Sequence, residues 1–194
     1  MAQSLTGKQV AILVANGFEQ VEFTEPKRAL EEAGAQVTVI SPEHDRVKGW
    51  NHTDWGDTFK VDLQVDRAQA DDFDALVLPG GVMNPDHMRR LEPVQTFVRA
   101  FFEAGKPVAA ICHAPWTMID AGVVKGRKLT SYHTLETDLR NAGADWVNQE
   151  VVVDNGLVTS RNPDDLPAFN RKMIEEIAKG RHERQTALTA SPRH

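Results

Sequence analysis

One cysteine occurs in the 194 residues, and it sits where a thiol could do chemistry. Cys112 ends the apolar run Pro107 to Ile111 and is followed at once by His113 and a helix-like segment. A residue on such a strand-to-helix turn is held in a tight backbone conformation above the carboxyl edge of a sheet, beside a helix N-terminus. The partial positive charge there favours a thiolate, and comparable sites bring a thiol pKa from about 8.5 down to roughly 3.5 to 7.5. That is the chemistry of a nucleophile. The competing interpretation is a small buried hydrophobe, the commoner fate of a solitary cysteine. The strand-Cys-His-helix context favours the nucleophile, with His113 either its general base or a capping side chain.

Leu78-Pro79-Gly80-Gly81 ends a second apolar run. Consecutive glycines let backbone N–H groups approach a ligand, so Gly81 and the His113 amide form a candidate oxyanion hole; a plain tight turn would use the same residues. Glu19 and Glu22 follow the first apolar run, and the same sheet edge would bring one of them near Cys112. A carboxyl buried there would have a raised pKa and could donate a hydrogen bond to sulfur, although two glutamates opening a helix are also ordinary dipole-matching groups. His44, His52, His87 and His133 are scattered without metal-ligand spacing, so neither a metal nor another cofactor is expected.

Strand-length apolar runs alternate with helix-period segments, which predicts an α/β fold with a mostly parallel sheet covered on both faces. Gln9 to Val14, Val37 to Ile40, Ala75 to Leu78 and Pro107 to Ile111 are the expected sheet centre. A helix is expected over Glu25 to Ala33, capped by Thr24, and a second from Pro93 to Ala104. Phe59 to Asp66 alternates strictly and predicts one half-exposed strand outside the parallel set. Glu150 to Val153 and Leu157 to Ser160 flank Asp154-Asn155-Gly156 as a hairpin, and Asn162 caps a last helix. One domain over residues 1–180 is expected, with residues 181–194 as a polar, patternless tail, mobile or ordered only by a neighbour.

Lys plus Arg total 22 against 28 Asp plus Glu, a formal net charge of −6, with no basic run; nucleic acid is not an expected partner. Nothing approaches a membrane span, and the N-terminus has no signal-peptide pattern, so no membrane partner and a cytoplasmic location are expected.

The segments NGFEQVEF, FDALVLPGG, GKPVAAICHAPW and DLRNAGADWVNQEVVVDNGLVTSRNPDDLPAF, in this order, resemble the ThiJ/PfpI family over about Lys8 to Ile177. The resemblance implies a class I glutamine-amidotransferase-like, flavodoxin-type three-layer sandwich with a nucleophile elbow. It is most similar to the PfpI-like branch of intracellular peptidases and general stress proteins. It implies Cys112 as elbow nucleophile, Glu22 as the acid hydrogen-bonded to its sulfur, Glu19 as a nearby second acid, and His113 oriented by an acid from an adjacent subunit. Asp86 stands at that last position, where some members carry glutamate. Trp116 stands where many have a smaller side chain, and is expected to narrow the pocket. A homo-oligomer, dimer or hexamer, follows from the shared site. The implied substrates are small reactive carbonyls, 2-oxoaldehydes or glycated amino groups, with peptide hydrolysis as the older assignment. The alternative is an oxidation-sensing stress protein whose thiolate is over-oxidised without turnover. A true glutamine amidotransferase would need a late histidine, and the segment around Asp164 and Asp165 has none.

Overall fold

Runs of branched aliphatic residues with few polar interruptions make strands that are buried on both faces, and here they become the middle of one sheet. The computed structural model describes residues 3–183 and 185. The chain runs through β1 (Gln9–Leu13), β2 (Phe18–Glu19), α1 (Gln20–Glu32), β3 (Gln36–Ser41), β4 (Arg46–Asn51), β5 (Asp54–Lys60), β6 (Leu63–Gln64), β7 (Ala75–Leu78), α2 (Met83–Met88) and α3 (Glu92–Glu103). It continues through β8 (Val108–Ile111), α4 (Pro115–Asp120), β9 (Lys128–Leu129), α5 (Glu136–Asn141), β10 (Asp145–Trp146), β11 (Val151–Asp154), β12 (Leu157–Ser160) and α6 (Leu166–Lys179).

Seven strands form the central sheet in the order β11-β12-β8-β7-β1-β3-β6, parallel except for the β11/β12 hairpin. On one face α1 and α6 bury Phe23, Leu30, Phe169 and Met173 against Val10, Ile12 and Val77. On the other, α3, α4 and α5 bury Val94, Phe97, Met118 and Leu139 against Ala11, Leu13 and Leu76. This is the expected mixed α/β sandwich. β1 connects to β3 on one side, while the later β7 lies on its other side, so the strand order reverses between β1 and β7. Open α/β sheets form their ligand crevice at that reversal, beyond the carboxyl ends of the strands.

Three expectations are corrected. The first helix begins at Gln20, so Thr24 lies inside it and Pro26 is an interior residue rather than an opening one. Pro26 has no amide hydrogen to donate to the Glu22 carbonyl, and the helix continues through it. The early start places Glu22 on the first turn, where it lines the crevice. The alternating run Phe59 to Asp66 is not one strand: Phe59 and Lys60 close β5 of a separate sheet with β4 and β2, and Leu63 and Gln64 make the edge strand β6. Asp62 divides them, its amide donating to the Val39 carbonyl (2.9 Å) and its carboxylate accepting from the Val39 amide (3.0 Å).

The chain also does not turn into a tail at Gly180. The His182 amide donates to the Gly105 carbonyl at 2.7 Å, and Gln185 is 0% exposed. Arg127, equally buried and stacked over Phe102, donates to the Gln185 backbone carbonyl at 3.1 Å and to the Val123 carbonyl at 3.0 Å, while Gln185 Nε2 donates to the Lys106 carbonyl. Residues 186–194 of the expected tail lie outside the described residues. Among the described residues no helix is long and apolar enough to cross a membrane.

A buried group left without its partner costs about 1 to 3 kcal/mol. Gln185→Ala removes the side-chain partner of the Lys106 carbonyl and of Arg127 Nη1 (3.5 Å), and is therefore expected to lower unfolding stability by roughly that amount in urea titration; a loss below ~0.5 kcal/mol would show that the Gln185 side chain does not secure this segment.

Candidate active site

Cys112 has φ 63°, one of three non-glycine residues with positive φ among those described. Such a conformation costs an L-residue of order 1 kcal/mol or more and persists only when neighbours hold it. Here the Cys112 amide donates to the Ser160 carbonyl at 3.0 Å, and the Tyr132 amide donates to the Cys112 carbonyl at 2.9 Å. The bend takes the chain from β8 straight towards α4 and leaves the side chain in the crevice, only 6% exposed.

Glu22 reaches the same point from α1 and is 0% exposed. Its Oε2 accepts from the Gly80 amide at 2.9 Å, the carboxyl interacts with the Cys112 thiol, and Oε1 is buried without a hydrogen-bond partner. The glycine pair makes this approach possible. A Cβ on Gly80 would lie 2.6 Å from both Cys112 Cβ and Glu22 Oε2. One on Gly81, whose φ is 77°, would lie 2.6 Å from the Glu19 amide nitrogen. Asn84 braces the loop: Oδ1 accepts from the Ala15 amide at 2.7 Å, and Nδ2 donates to the carbonyls of Pro79 (2.9 Å) and Gly80 (3.0 Å). The backbone amides of Gly81 and His113 both point at the sulfur.

The proton inventory differs from the sequence expectation. Burial raises the Glu22 pKa from 4.5 to about 8, against the lowering effect of the Gly80 amide and with help from the negative charge of Glu19. Burial also pushes the Cys112 thiol up, and a charge on Glu22 pushes it further, while the Gly81 and His113 amides pull it down. The expected low-pKa free thiolate is thus corrected: α4 starts only at Pro115 and has six residues, so its dipole is outweighed by desolvation. Below pH 8 the site rests with Glu22 protonated beneath a thiol. His113, its pKa lowered by burial to about 4, is uncharged at neutral pH.

His113 Nδ1 lies 3.1 Å from Cys112 Sγ, and Nε2 lies 3.4 Å from Thr134 Oγ1. The ring stacks on Tyr132, with centroids 4.7 Å apart and planes at 25°. The two consecutive residues therefore do face each other. Above them opens a cavity of about 750 Å³. Glu19 lines it near the mouth, its Oε1 accepting from the His52 amide at 3.4 Å. Trp116 does not line it: the indole Nε1 donates to Asp138 at 2.8 Å and the ring packs under Arg89 and edge-on against His113. The aromatic wall comes instead from Trp50 and Trp55 of β4 and β5, which sequence analysis did not single out. Asp86 is exposed on α2, and its carboxyl makes no hydrogen bond to the site within the chain among the described residues. Asp165 pairs with Arg161 at 2.9 Å and lies apart from Cys112.

These shifts fix a pH signature. Between pH 4.5 and about 8 the folded chain holds the Glu22 proton that the unfolded chain releases, so this group's contribution to stability falls as pH rises. His113 acts oppositely between about 4 and 6.5, where the unfolded chain binds the proton and the folded one does not. The two offset each other up to pH 6.5, and Glu22 acts alone from there to about 8. Stability is expected to decline across that upper window in the wild type, by at most ~1.4 kcal/mol per pH unit from one proton, and the decline should be absent in Glu22→Gln. Urea titrations at half-unit pH steps check this; parallel profiles for the two proteins would refute a protonated Glu22.

The geometry can be set beside known proteins. Residues 8–176 match the model of the DJ-1/PfpI family. General stress protein 18 of Bacillus subtilis (strain 168) is 45% identical over 175 residues, covering 89% of this chain and 99% of that one. Protein/nucleic acid deglycase 2 of Escherichia coli (strain K12) is 44% identical over 169 residues, covering 86% and 96%. Among solved structures, Drosophila melanogaster DJ-1beta superposes with a TM-score of 0.81 at 31% identity, covering 94% and 95% of the two chains. A two-domain protein from Anabaena variabilis with a DJ-1/ThiJ/PfpI-like and a ferritin-like domain gives 0.82 at 37% identity; 88% of this chain is covered, and it spans half of that one. Sequence match, sheet topology and a cysteine on a positive-φ turn agree: this chain belongs to the DJ-1/PfpI family.

Proposed function

We propose that this protein is a stress-protective cysteine enzyme that uses Cys112 on small reactive carbonyls or their adducts, as a glyoxalase or deglycase would. The observation that carries the proposal is the Cys112–Glu22 pair: a sulfur nucleophile on a strained turn with a protonated, buried carboxyl beside it, both opening into one cavity. Relatives named as deglycases and as a general stress protein support the same class.

With methylglyoxal the steps balance as follows. Sulfur adds to the aldehyde carbon while its proton passes to His113 Nδ1, and the carbonyl π pair becomes an oxyanion held by the Gly81 and His113 amides. Glu22 gives its proton to that oxygen, forming a hemithioacetal. The Glu22 carboxylate then removes the C1 proton to give an enediolate and returns it to C2, while the C1 hydroxyl passes its proton to the C2 oxygen, so that the hemithioacetal becomes a lactoyl thioester. Water adds to the thioester and gives one proton to the Glu22 carboxylate, the sulfur leaves and recovers its proton from His113, and lactic acid is released. One water is consumed and no external oxidant is needed.

The proposal extends to assembly. Asp86 is exposed beside the exposed apolar side chains Val82 and Met83, and a second copy docking there would bring a carboxylate towards His113. A strict monomer at micromolar concentration by light scattering would remove Asp86 from the site.

A second reading, oxidation sensing, is favoured by the chain's one cysteine, since no second thiol within it can resolve a sulfenic acid. Turnover separates the two. Purified protein should form lactate from methylglyoxal; Cys112→Ala should abolish it, and Glu22→Gln should lower kcat by roughly 10²- to 10⁴-fold. If peroxide converts Cys112 to sulfinic or sulfonic acid and no dicarbonyl is turned over, the protein is a sensor and the enzyme proposal fails.

A further inference from the structure

The cavity over Cys112 has a one-sided chemical lining. Two indoles, Trp50 and Trp55, meet edge-to-face with centroids 5.5 Å apart, and Tyr132 and His113 supply further rings. Two carboxyls, Glu19 and Glu22, face the same space; among the described residues no lysine or arginine lines it, and besides His113 the one basic side chain there is His52, its Nδ1 3.9 Å from Glu19 Oε1. Of the two acids, Glu19 is the one that stands at the mouth, and its negative charge is felt at Glu22. Lys48 lies 5.6 Å from the centroid of Trp55 and is not among the lining residues. Glu22 adds a second observation: it lines the cavity, and its Oε1 is buried without a hydrogen-bond partner.

The wall is rigidly placed. The Lys48 amide donates to Asn16 Oδ1 at 2.8 Å and the Gly17 amide to the Lys48 carbonyl at 2.9 Å. Gln20 bonds Asp57 twice, accepting from its amide at 2.6 Å and donating to its carboxylate at 2.9 Å. A Cβ on Gly56 would fall 2.0 Å from Gln20 Oε1, so the hairpin lies directly on that side chain. At the tip His52 is held with φ 57° by the Glu19 carboxylate and by Trp50 Nε1, which donates to the His52 carbonyl at 2.9 Å. The indoles and Glu19 thus form one fixed unit.

Ring faces attract cations through their quadrupole, and a carboxylate adds directly to that field in a partly desolvated cavity. We propose that Trp50, Trp55 and Glu19 select 2-oxoaldehyde substrates carrying a positive charge near the reacting carbon, such as one bearing a quaternary ammonium group, and turn away anionic carbonyls. The inference rests on the carbonyl chemistry proposed above but assigns its substrate class, and its test is separate from turnover.

Two thiol reagents of like size, 2-(trimethylammonium)ethyl and 2-sulfonatoethyl methanethiosulfonate, carry opposite charge. Each forms a disulfide with Cys112 and releases methanesulfinic acid, and the chain has no other cysteine to be labelled. Rates are divided by those on 2-mercaptoethanol. The cationic reagent is expected to be favoured by roughly ten-fold or more at low salt, with the preference shrinking as salt is added. Glu19→Gln should cut that ratio by about three-fold or more, and the ratio cancels any change in intrinsic thiol reactivity. Trp55→Leu, at a position 48% exposed, should lower it too and covers the case in which the Glu19 variant does not fold. A wild-type ratio near one, or a ratio unmoved in both variants, overturns the proposal. Lactate formation with a ratio near one leaves the enzyme proposal standing and removes this one; a large ratio without turnover of any dicarbonyl removes the enzyme proposal and the carbonyl part of this one, and leaves a cavity that prefers cations. Where turnover is found, kcat/KM should rank a 2-oxoaldehyde bearing a trimethylammonium group above methylglyoxal above the anionic 2-oxoaldehyde 4,5-dioxopentanoate.

Discussion

The structure around Cys112 is organised by the need to keep an acid in a place that has no water. A carboxylate without compensating partners does not survive burial, so Glu22 keeps its proton to about pH 8, and one amide hydrogen bond from Gly80 is the strongest counterweight among its neighbours. The consequences spread outwards. The helix bearing Glu22 has to start early enough to bring the first turn over the sheet edge, and the opposing loop has to have no side chain. Asn84 has to satisfy three backbone groups of the loops around it so that the Gly80 amide holds its direction.

The nucleophile is placed by the same logic from the other side. Cys112 is held in a left-handed conformation by β12 and by the Tyr132 amide, so the cost of the bend is met by strand pairing remote from any ligand. A thiol at rest and an acid at rest, sharing a dry site, make a couple whose reactivity depends on where one proton lies when a substrate arrives. His113, uncharged and 3.1 Å from the sulfur, is the available acceptor.

Much of this was legible in the sequence because buried parallel strands leave a plain signature. The four central runs and the hairpin around Asn155-Gly156 all become strands of the main sheet, and the Cys-His junction and the Gly-Gly turn fall at its carboxyl edge. What was not legible depended on tertiary choice. Position in the chain alone did not tell Glu19 from Glu22, and only the family resemblance separated them, because the difference is set by a helix that runs through Pro26. The thiol was expected to be acidic from a helix dipole, but burial outweighs a six-residue helix. Trp116 looked close to the site because it is close in sequence, whereas its indole turns outwards to Asp138 and Arg89. Trp50 and Trp55 sit in a polar, charged stretch with no apolar period, and only the β4/β5 pairing shows that they meet.

The attachments of that hairpin carry an evolutionary consequence. Among the described residues its polar anchors to the remainder of the site run to residues 16–20, through Asn16, Gly17, Glu19 and Gln20, and none runs to the Cys112 turn or to the Gly80 loop. The apparatus that breaks and makes bonds and the surface that chooses the molecule are therefore inherited on different stretches of chain. Exchanging the tip between Lys48 and Asp57 for another of equal length would alter the choice without touching the reacting groups. In a family whose members share the elbow, such a detachable tip is a plausible place for new preferences to arise, because a change there leaves the strained cysteine and its acid undisturbed.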